Sequence, residues 1–453
     1  MRTYQDYEQA QDKKEFIIKV ISEFKSSQQY QKALTAKSYY NGENTEILTR
    51  RKTFYGENGT VRDDIFKANN RVASDFFSKI VKQEVSYLLS NGVITKDKLK
   101  KKLGCKFDLK LRKLATEACV TGVGWAYAYI NNRGEFEVAS FDYLEVVPLF
   151  DERTGAIRGA IRFYQLEESK PMWVEFYTER GVINFKYYKN ELTETSKLKP
   201  YILKTRTDVL GSEVVDYDNW SQLPIIPLYC NDSKTSRFKT SLKNKIDLFD
   251  IILSDFGNNL EDSQDVYWVL KNYQGQDIGE FLEDYKYYKS INIDEDGDAT
   301  PHTIEVPYEA RKVALEELRK QIYSDSMAVD TSVLSGGSLT NVAIKANMLD
   351  LDLKVDDLEA GCSDFCYDLL KLCSEFYNIS EDYEIDFIRN QLVDESETID
   401  NLIKSVTAGI LSTETAMSRN PFVENVKKEK LLIDKENLDM YIREEPTETE
   451  REE

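Results

Sequence analysis

Two helical stripes separated by a small insertion constrain this chain more than any other feature. In residues 239–262, Leu242, Ile246, Phe249, Leu253, Phe256 and Leu260 recur at helical spacing. That predicts a helix about 35 Å long at 1.5 Å per residue. A second stripe, Ala314, Leu318 and Ile322, follows Pro307, a residue suited to a helix start because its missing N–H would be unpaired there anyway. Residues 264–306 lie between them. The spacing therefore predicts a helical hairpin with a small domain at its tip.

Elsewhere the hydrophobic period divides the chain. The first hundred residues are predicted helical, from Phe16, Val20 and Phe24 and from Phe77, Val81, Val85 and Leu88. Phe76 and Ile80 widen the second stripe, with Glu84 at its margin. Residues 39–51 are predicted as a loop turning at Asn41-Gly42, and a helix near 106–120 ends around Gly122. From 123 to 230, short aromatic runs such as GWAYAYI, EFEVASF, GAIRFY, MWVEFYT and VINFKYY alternate with turns at 131–134 and 151–155, the pattern of antiparallel strands. The fold class is α+β, mostly helical. Residues 328–344 carry one charge in 17 positions, in a chain that is 31% charged. With Gly336-Gly337 they predict a mobile, close-packed loop. A long helix to about Tyr377 follows, with Gly361 as a kink, then shorter helices in 395–440 and an acidic solvated tail.

Composition narrows the function. A content of 41% hydrophobic and 12% aromatic residues is too rich for a disordered chain. No apolar run is long enough to span a membrane. The N-terminus, MRTYQDYEQAQDKKEF, lacks a signal-peptide core, so the chain is expected to stay in the cytoplasm where it is made. Six cysteines are scattered without a CxxC pair; Cys362, Cys366 and Cys373 share a helical stripe with Leu358, Leu369 and Phe376 and are expected to be buried apolar residues. The net charge of −20 argues against a protein that grips phosphates.

Catalytic motifs are scarce. The single histidine, His302, sits beside Pro301 and excludes HExxH and multi-histidine zinc sites. There is no GxxxxGK[ST], and Gly122-Val-Gly124 leads into a strand and not a helix. Asn292, Asp294, Asp296 and Asp298, with Gly297, imitate the start of a calcium loop. Thr303 stands at the twelfth position where a glutamate is needed, so a hairpin turn is expected and no metal or cofactor is assigned. A metal-dependent hydrolase using Asp294, Asp296 and Asp298 is the enzymatic alternative, and a protein-binding cytoplasmic scaffold is a third.

The order of segments resembles the portal proteins of tailed bacteriophages, of the siphophage type found with Gram-positive hosts. The resemblance spans roughly 35–435 and rests on six segments in order. These are YYNGEN with Ile47-Leu48; Asn69-Asn70-Arg71 through KIVKQEVSYLLSNGV; Gly124-Trp125-Ala126-Tyr127 through VVPLFDERTGAIRGAIRFY; LPIIPLYCND through DLFDIILSDFGNNLED; SGGSLTNVAIKANMLDLDLKV; and GILSTETAMSRNPFVENVKKEKLLI. It implies a non-enzymatic, ring-forming subunit with a wing (1–238, its β-rich part 123–230), stem helices (239–262 and 307–327) and a clip (263–306). A tunnel loop (328–344), a long wing helix and return (345–394), a crown (395–440) and a disordered tail (441–453) complete it. It further implies a dodecamer, isolable as a 13-mer, at the portal vertex of the virion capsid. Its partners would be double-stranded DNA, the terminase motor, a head-completion adaptor, and capsid and scaffold proteins. Another head–tail connector or minor capsid protein is the nearest alternative.

On that reading Ser335, Gly336, Gly337, Ser338, Asn341 and Lys345 border the DNA channel, with Lys345 a candidate phosphate contact. Lys239, Lys243 and Lys245, with Arg311, Lys312, Arg319 and Lys320, are the cations of the two hairpin arms. Of these, Lys243, Lys245, Arg311, Lys312, Arg319 and Lys320 are the candidates for facing the channel. Twelve copies at −20 each would total roughly −240, a field that lets DNA slide and not stick.

Overall fold

The computed structural model describes residues 3–55, 59–64, 67–104, 106–207, 213–262, 267–271, 298–302, 307–334, 341–379, 383–390, 395–420, 422–423, 426 and 429–436. It divides into one unit of Met1–Val329 with Asp350–Asn390 and a second of Asp330–Leu349 with Gln391–Glu453.

The first unit opens with helices α1 (Tyr4–Gln9), α2 (Lys13–Lys25), α3 (Gln28–Tyr40) and α4 (Thr45–Thr49). Thr3, Asp12 and Ser27 cap the first three by accepting backbone N–H groups their helices leave unpaired. A hairpin of β1 (Thr53–Tyr55) and β2 (Val61–Asp63) precedes α5 (Phe76–Leu89), β3 (Val93–Ile94), α6 (Asp97–Lys102) and α7 (Phe107–Thr121). The expected helical first hundred residues thus include two short strand pairings. The expected loop at 39–51 holds one helical turn, α4, because Ile47 is buried there and pulls the chain inward. Gly122 ends α7 in the left-handed region at φ +103°, a conformation that costs glycine little.

Strands β4 (Val123–Ile130), β5 (Phe136–Phe141), β6 (Val146–Phe150), β7 (Ile157–Tyr164), β8 (Met172–Thr178), β9 (Gly181–Tyr188) and β10 (Glu191–Lys199) follow. Then come β11 (Ile202–Thr207), β12 (Glu213–Asp218) and β13 (Ile225–Tyr229). All pairings among them are antiparallel: a five-stranded sheet β10-β9-β8-β7-β6, a three-stranded sheet β13-β4-β5, and the β11–β12 hairpin. Tyr7, Phe16, Ile17 and Val20 of α1 and α2 cover Ile161, Val174 and Phe176 of the larger sheet. Trp125, Phe141, Tyr177 and Ile225 fill a second core shared by the two sheets.

Helix α8 (Thr240–Asp262), strands β14 (Tyr267–Lys271) and β15 (Asp298–His302), and helix α9 (Tyr308–Asp325) make the hairpin expected from the stripes. The Asn292–Gly297 stretch lies outside the described residues; Asp298 and His302 are the ends of β15. A helical turn, α10 (Thr331–Leu334), interrupts the expected 328–344 loop, and α11 (Asn341–Tyr377) begins inside its last residues.

Helix α11 is continuous through Gly361, where a kink was expected. The glycine serves a different need: a Cβ there would lie 1.9 Å from the carbonyl oxygen of Tyr229, at the end of β13. Cys362, Cys366 and Cys373 are buried thiols, as the stripe predicted. Burial pushes the pKa of Cys366 and of Cys373 up to about 12, which leaves them inert. Strand β16 (Asp386–Phe387) pairs with β3.

The second unit holds α10, the start of α11, α12 (Glu395–Thr407) and α13 (Thr413–Arg419). Ser412 caps α13 by accepting from the Thr415 N–H. Lys430 pairs with Glu414 at 3.6 Å, and Ile410, Phe422 and Leu431 are exposed.

Candidate functional site

The base of the hairpin is built from polar groups. Along α8, Asp247, Asp250, Ser254 and Asn258 are buried, while Phe249, Leu253 and Phe256 are only half-buried. The polar side chains meet the segment 70–74. The backbone N–H of Asn70 donates to Asn258 Oδ1 (2.6 Å), that of Val72 to Ser254 Oγ (2.9 Å) and that of Ser74 to Asp250 Oδ1 (3.1 Å). The periods match because four helical residues rise about 6 Å and two extended residues about 6.6 Å. Every second N–H of the segment therefore finds a side chain one helical turn further back.

Neighbouring groups extend this joint. Asn44 donates to Asp250 Oδ2 (2.5 Å) and to the Ser74 carbonyl (3.0 Å), Asn70 Nδ2 to Glu261 (2.7 Å), and the Tyr39 hydroxyl to Asp247. Burial raises the pKa of Asp250 against the hydrogen bonds from Ser74 and Asn44, which lower it.

The second arm lies antiparallel to the first. Phe256 meets Tyr308 with ring centroids 5.8 Å apart, Arg311 Nη1 donates to the Asp255 carbonyl (3.2 Å), and Lys245 pairs with Asp325. Four of the six candidate channel cations are thus engaged within the chain. Lys243 binds Asp247 at 2.6 Å, Lys245 holds Asp325, Arg311 caps Asp255, and the Arg319 guanidinium lies 5.9 Å from the Tyr323 ring centroid. Lys312 and Lys320 are exposed. Ser335, Gly336, Gly337 and Ser338 lie outside the described residues; Asn341 and Lys345 belong to the first turns of α11.

Beside the hairpin base sits a buried ionic knot. Glu84, fully buried, contacts Arg237 Nη2 at 2.8 Å and Lys354 Nζ at 3.0 Å. Arg237 also donates to the carbonyls of Cys230 and Lys354, each at 3.0 Å. Burial is the largest influence on this guanidinium and opposes its charge. The charge of Glu84 and its hydrogen bond outweigh it, so the guanidinium pKa is raised. One turn on, Arg389 reaches Asp356 at 2.5 Å and Glu359 at 2.6 Å, and the Tyr87 hydroxyl donates to Asp352 at 2.7 Å. Helix α11 is thereby held from α5, from residue 237 and from residue 389.

Among the described residues no group of three or more His, Cys, Asp or Glu side chains could hold a metal, and no helix is long and apolar enough to cross a membrane. What the geometry does is fix the direction of one long helical arm and of α11.

The chain as a whole is similar to known proteins. The family described as "Phage portal protein, SPP1 Gp6-like" matches residues 22–439. The portal protein of Clostridium phage phiCD119 is 27% identical over 445 residues, covering 90% of this chain and 93% of that relative. The portal protein of Bacillus phage SPP1 is 27% identical over 425 residues, covering 88% and 82%. Among solved structures, a chain from the neck of an empty GTA particle aligns with a TM-score of 0.46 and 10% identity, over 76% of this chain and 88% of that one.

Proposed function

Because the chain belongs to the SPP1 Gp6-like family of phage portal proteins, we propose how its parts divide the work of a portal connector. The subunits close into a ring at one capsid vertex, and the duplex passes through the central hole during packaging, retention and ejection. Residues 1–238 with the long helix and return of 345–394 form the wing, α8 and α9 the stem, 263–306 the clip that meets the terminase motor and later the head-completion adaptor. Residues 328–344 form the tunnel loop and 395–440 the crown. The subunit is structural and carries no catalysis of its own.

One observation supports this reading above the others: the antiparallel pair α8–α9, whose base is tied by buried polar groups while its outer apolar side chains stay half-covered. A stem needs a fixed direction at its base and an unfilled face for its neighbours. Of the candidate channel cations, Lys312 and Lys320 are the two best placed for brief phosphate contacts, being exposed, and Lys345 stays a candidate on the resemblance to portal proteins. Weak, replaceable contacts suit a duplex that must move, since each neutralised phosphate adds affinity.

Native mass measurement and negative-stain microscopy of the full chain test the reading. Rings of twelve or thirteen copies with a central hole are expected. A chain that stays monomeric at every concentration, with or without its scaffold protein, overturns it.

A further inference from the structure

The acidity of this chain is unevenly spread. Residues 96–113 contain nine Lys or Arg and two Asp, a net +7 within a chain of −20. Helix α11 contains eight Asp or Glu and three Lys, a net −5. Part of the basic run is neutralised in place, as with Lys100 against Asp108 (3.3 Å) and Lys110 against Glu137. Lys101, Lys106 and Lys113 are exposed and have no ion-pair partner among the described residues. Lys106 and Lys113 flank Leu109 at spacings of three and four, one face of a helix, and Leu109 is 66% exposed.

Helix α11 presents the opposite sign with the same texture. Leu353 and Tyr367, each 53% exposed, share an outer face with Ala360 and Asp364, and the stripe runs about 21 Å from Leu353 to Tyr367. Asp350 and Asp364 are exposed and make no ion pair among the described residues. Within the chain the basic run reaches α11 at its far end, where Lys102 lies 4.3 Å from the Tyr377 ring centroid, and among the described residues no ion pair joins Lys106 or Lys113 to Asp350 or Asp364. Tyr367 meets the Tyr383 ring edge-on, with centroids 5.4 Å apart, and still stays half open; Leu353, Asp364, Lys106, Leu109 and Lys113 are exposed.

We propose that the acidic, apolar stripe of α11 seats the basic, apolar stripe of α6–α7 from a second copy, and that this contact repeats head to tail around the ring. The proposal rests on the ring reading above and deepens it. A heterologous ring needs two unlike, complementary faces on every subunit, and these two match in charge and in exposed apolar groups. Leu109 decides between a protein and a nucleic-acid occupant. An apolar side chain at the centre of a basic patch gains nothing from phosphates, whereas it suits the core of a protein interface with charges at its rim.

The test uses three full-length variants: Lys106→Glu with Lys113→Glu, Asp350→Lys with Asp364→Lys, and all four changes together. Each pair alone should lower the ratio of ring to monomer by about tenfold in sedimentation velocity at low salt, and the four together should restore most of it. Leu109→Ser, which touches no core, should weaken assembly without lowering the melting temperature. Wild-type rings left unchanged by both reversals overturn the pairing alone, and so does a four-fold variant worse than either pair. Rings of normal stability whose Lys106→Glu, Lys113→Glu form loses affinity for a DNA duplex assign the patch to nucleic acid and overturn it as well. A wild-type chain that forms no ring overturns the ring reading, and the pairing with it.

Discussion

Helices α11 and α9 are both long and both striped, yet they are finished in different ways. Along α11, Leu351, Val355, Leu358, Cys362, Phe365 and Leu369 are all buried by the chain itself, and Glu84, Arg237 and Arg389 fasten its polar flanks. Along α9 only Ile322 is buried. Ala314 and Leu318 are half-covered, and Val313 is open. A helical stripe reports that a face wants covering. It does not report who covers it. In α11 the cover of this stripe is intramolecular; in α9 most of the stripe is left half-covered, which suits the proposed stem role.

That contrast predicts steeply different costs. Gly361→Leu on α11 drives a side chain into the Tyr229 carbonyl and should cost more than about 5 kcal/mol; the expected outcome in urea unfolding is no folded baseline at all. Next, Glu84→Ala leaves Lys354 buried and Arg237 half-buried without their shared carboxylate, and such a loss costs about 3–5 kcal/mol. A midpoint in urea near that of the wild type would show the knot to be solvated and the contrast weaker than drawn. Ser254→Ala at the hairpin base strands the Val72 N–H and should cost about 1–2 kcal/mol. Hydrogen exchange at the Val72 amide should quicken with it. Smallest of all, Val313→Ser on α9 should change monomer stability by less than about 0.5 kcal/mol; a larger drop in the melting temperature would mean that α9 is covered by its own chain after all.

How much of this was legible beforehand follows the kind of signal. Apolar period located α2, α5, α8, α9 and α11, and short aromatic runs located β4, β5, β7, β8 and β9, because each depends on residues close in sequence. Glu84 was placed at a stripe margin, since its partners Arg237 and Lys354 come from 153 and 270 positions away. Gly361 was read as a kink, because the approach of Tyr229 is a fact of tertiary structure. The polar stripe Asp247, Asp250, Ser254 and Asn258 was visible as a spacing of three, four and four, but a search for apolar periodicity passes over it. The basic run at 96–113 was hidden by the whole-chain total of −20; counting charge in windows would have exposed it. The tunnel-loop residues Ser335 to Ser338 lie outside the described residues, so their placement rests on the resemblance alone.

The joint between α8 and residues 70–74 has an asymmetric genetic consequence. Its donors are main-chain amides, supplied by any amino acid except proline, and its acceptors are three particular side chains on the helix. The specification is therefore written on one strand of the contact only. Position 72 can drift in identity without loosening the arm, and position 70 gives up only its side-chain bond to Glu261, whereas a single change at 250, 254 or 258 removes a rung, and a proline at 72 removes one from the other side.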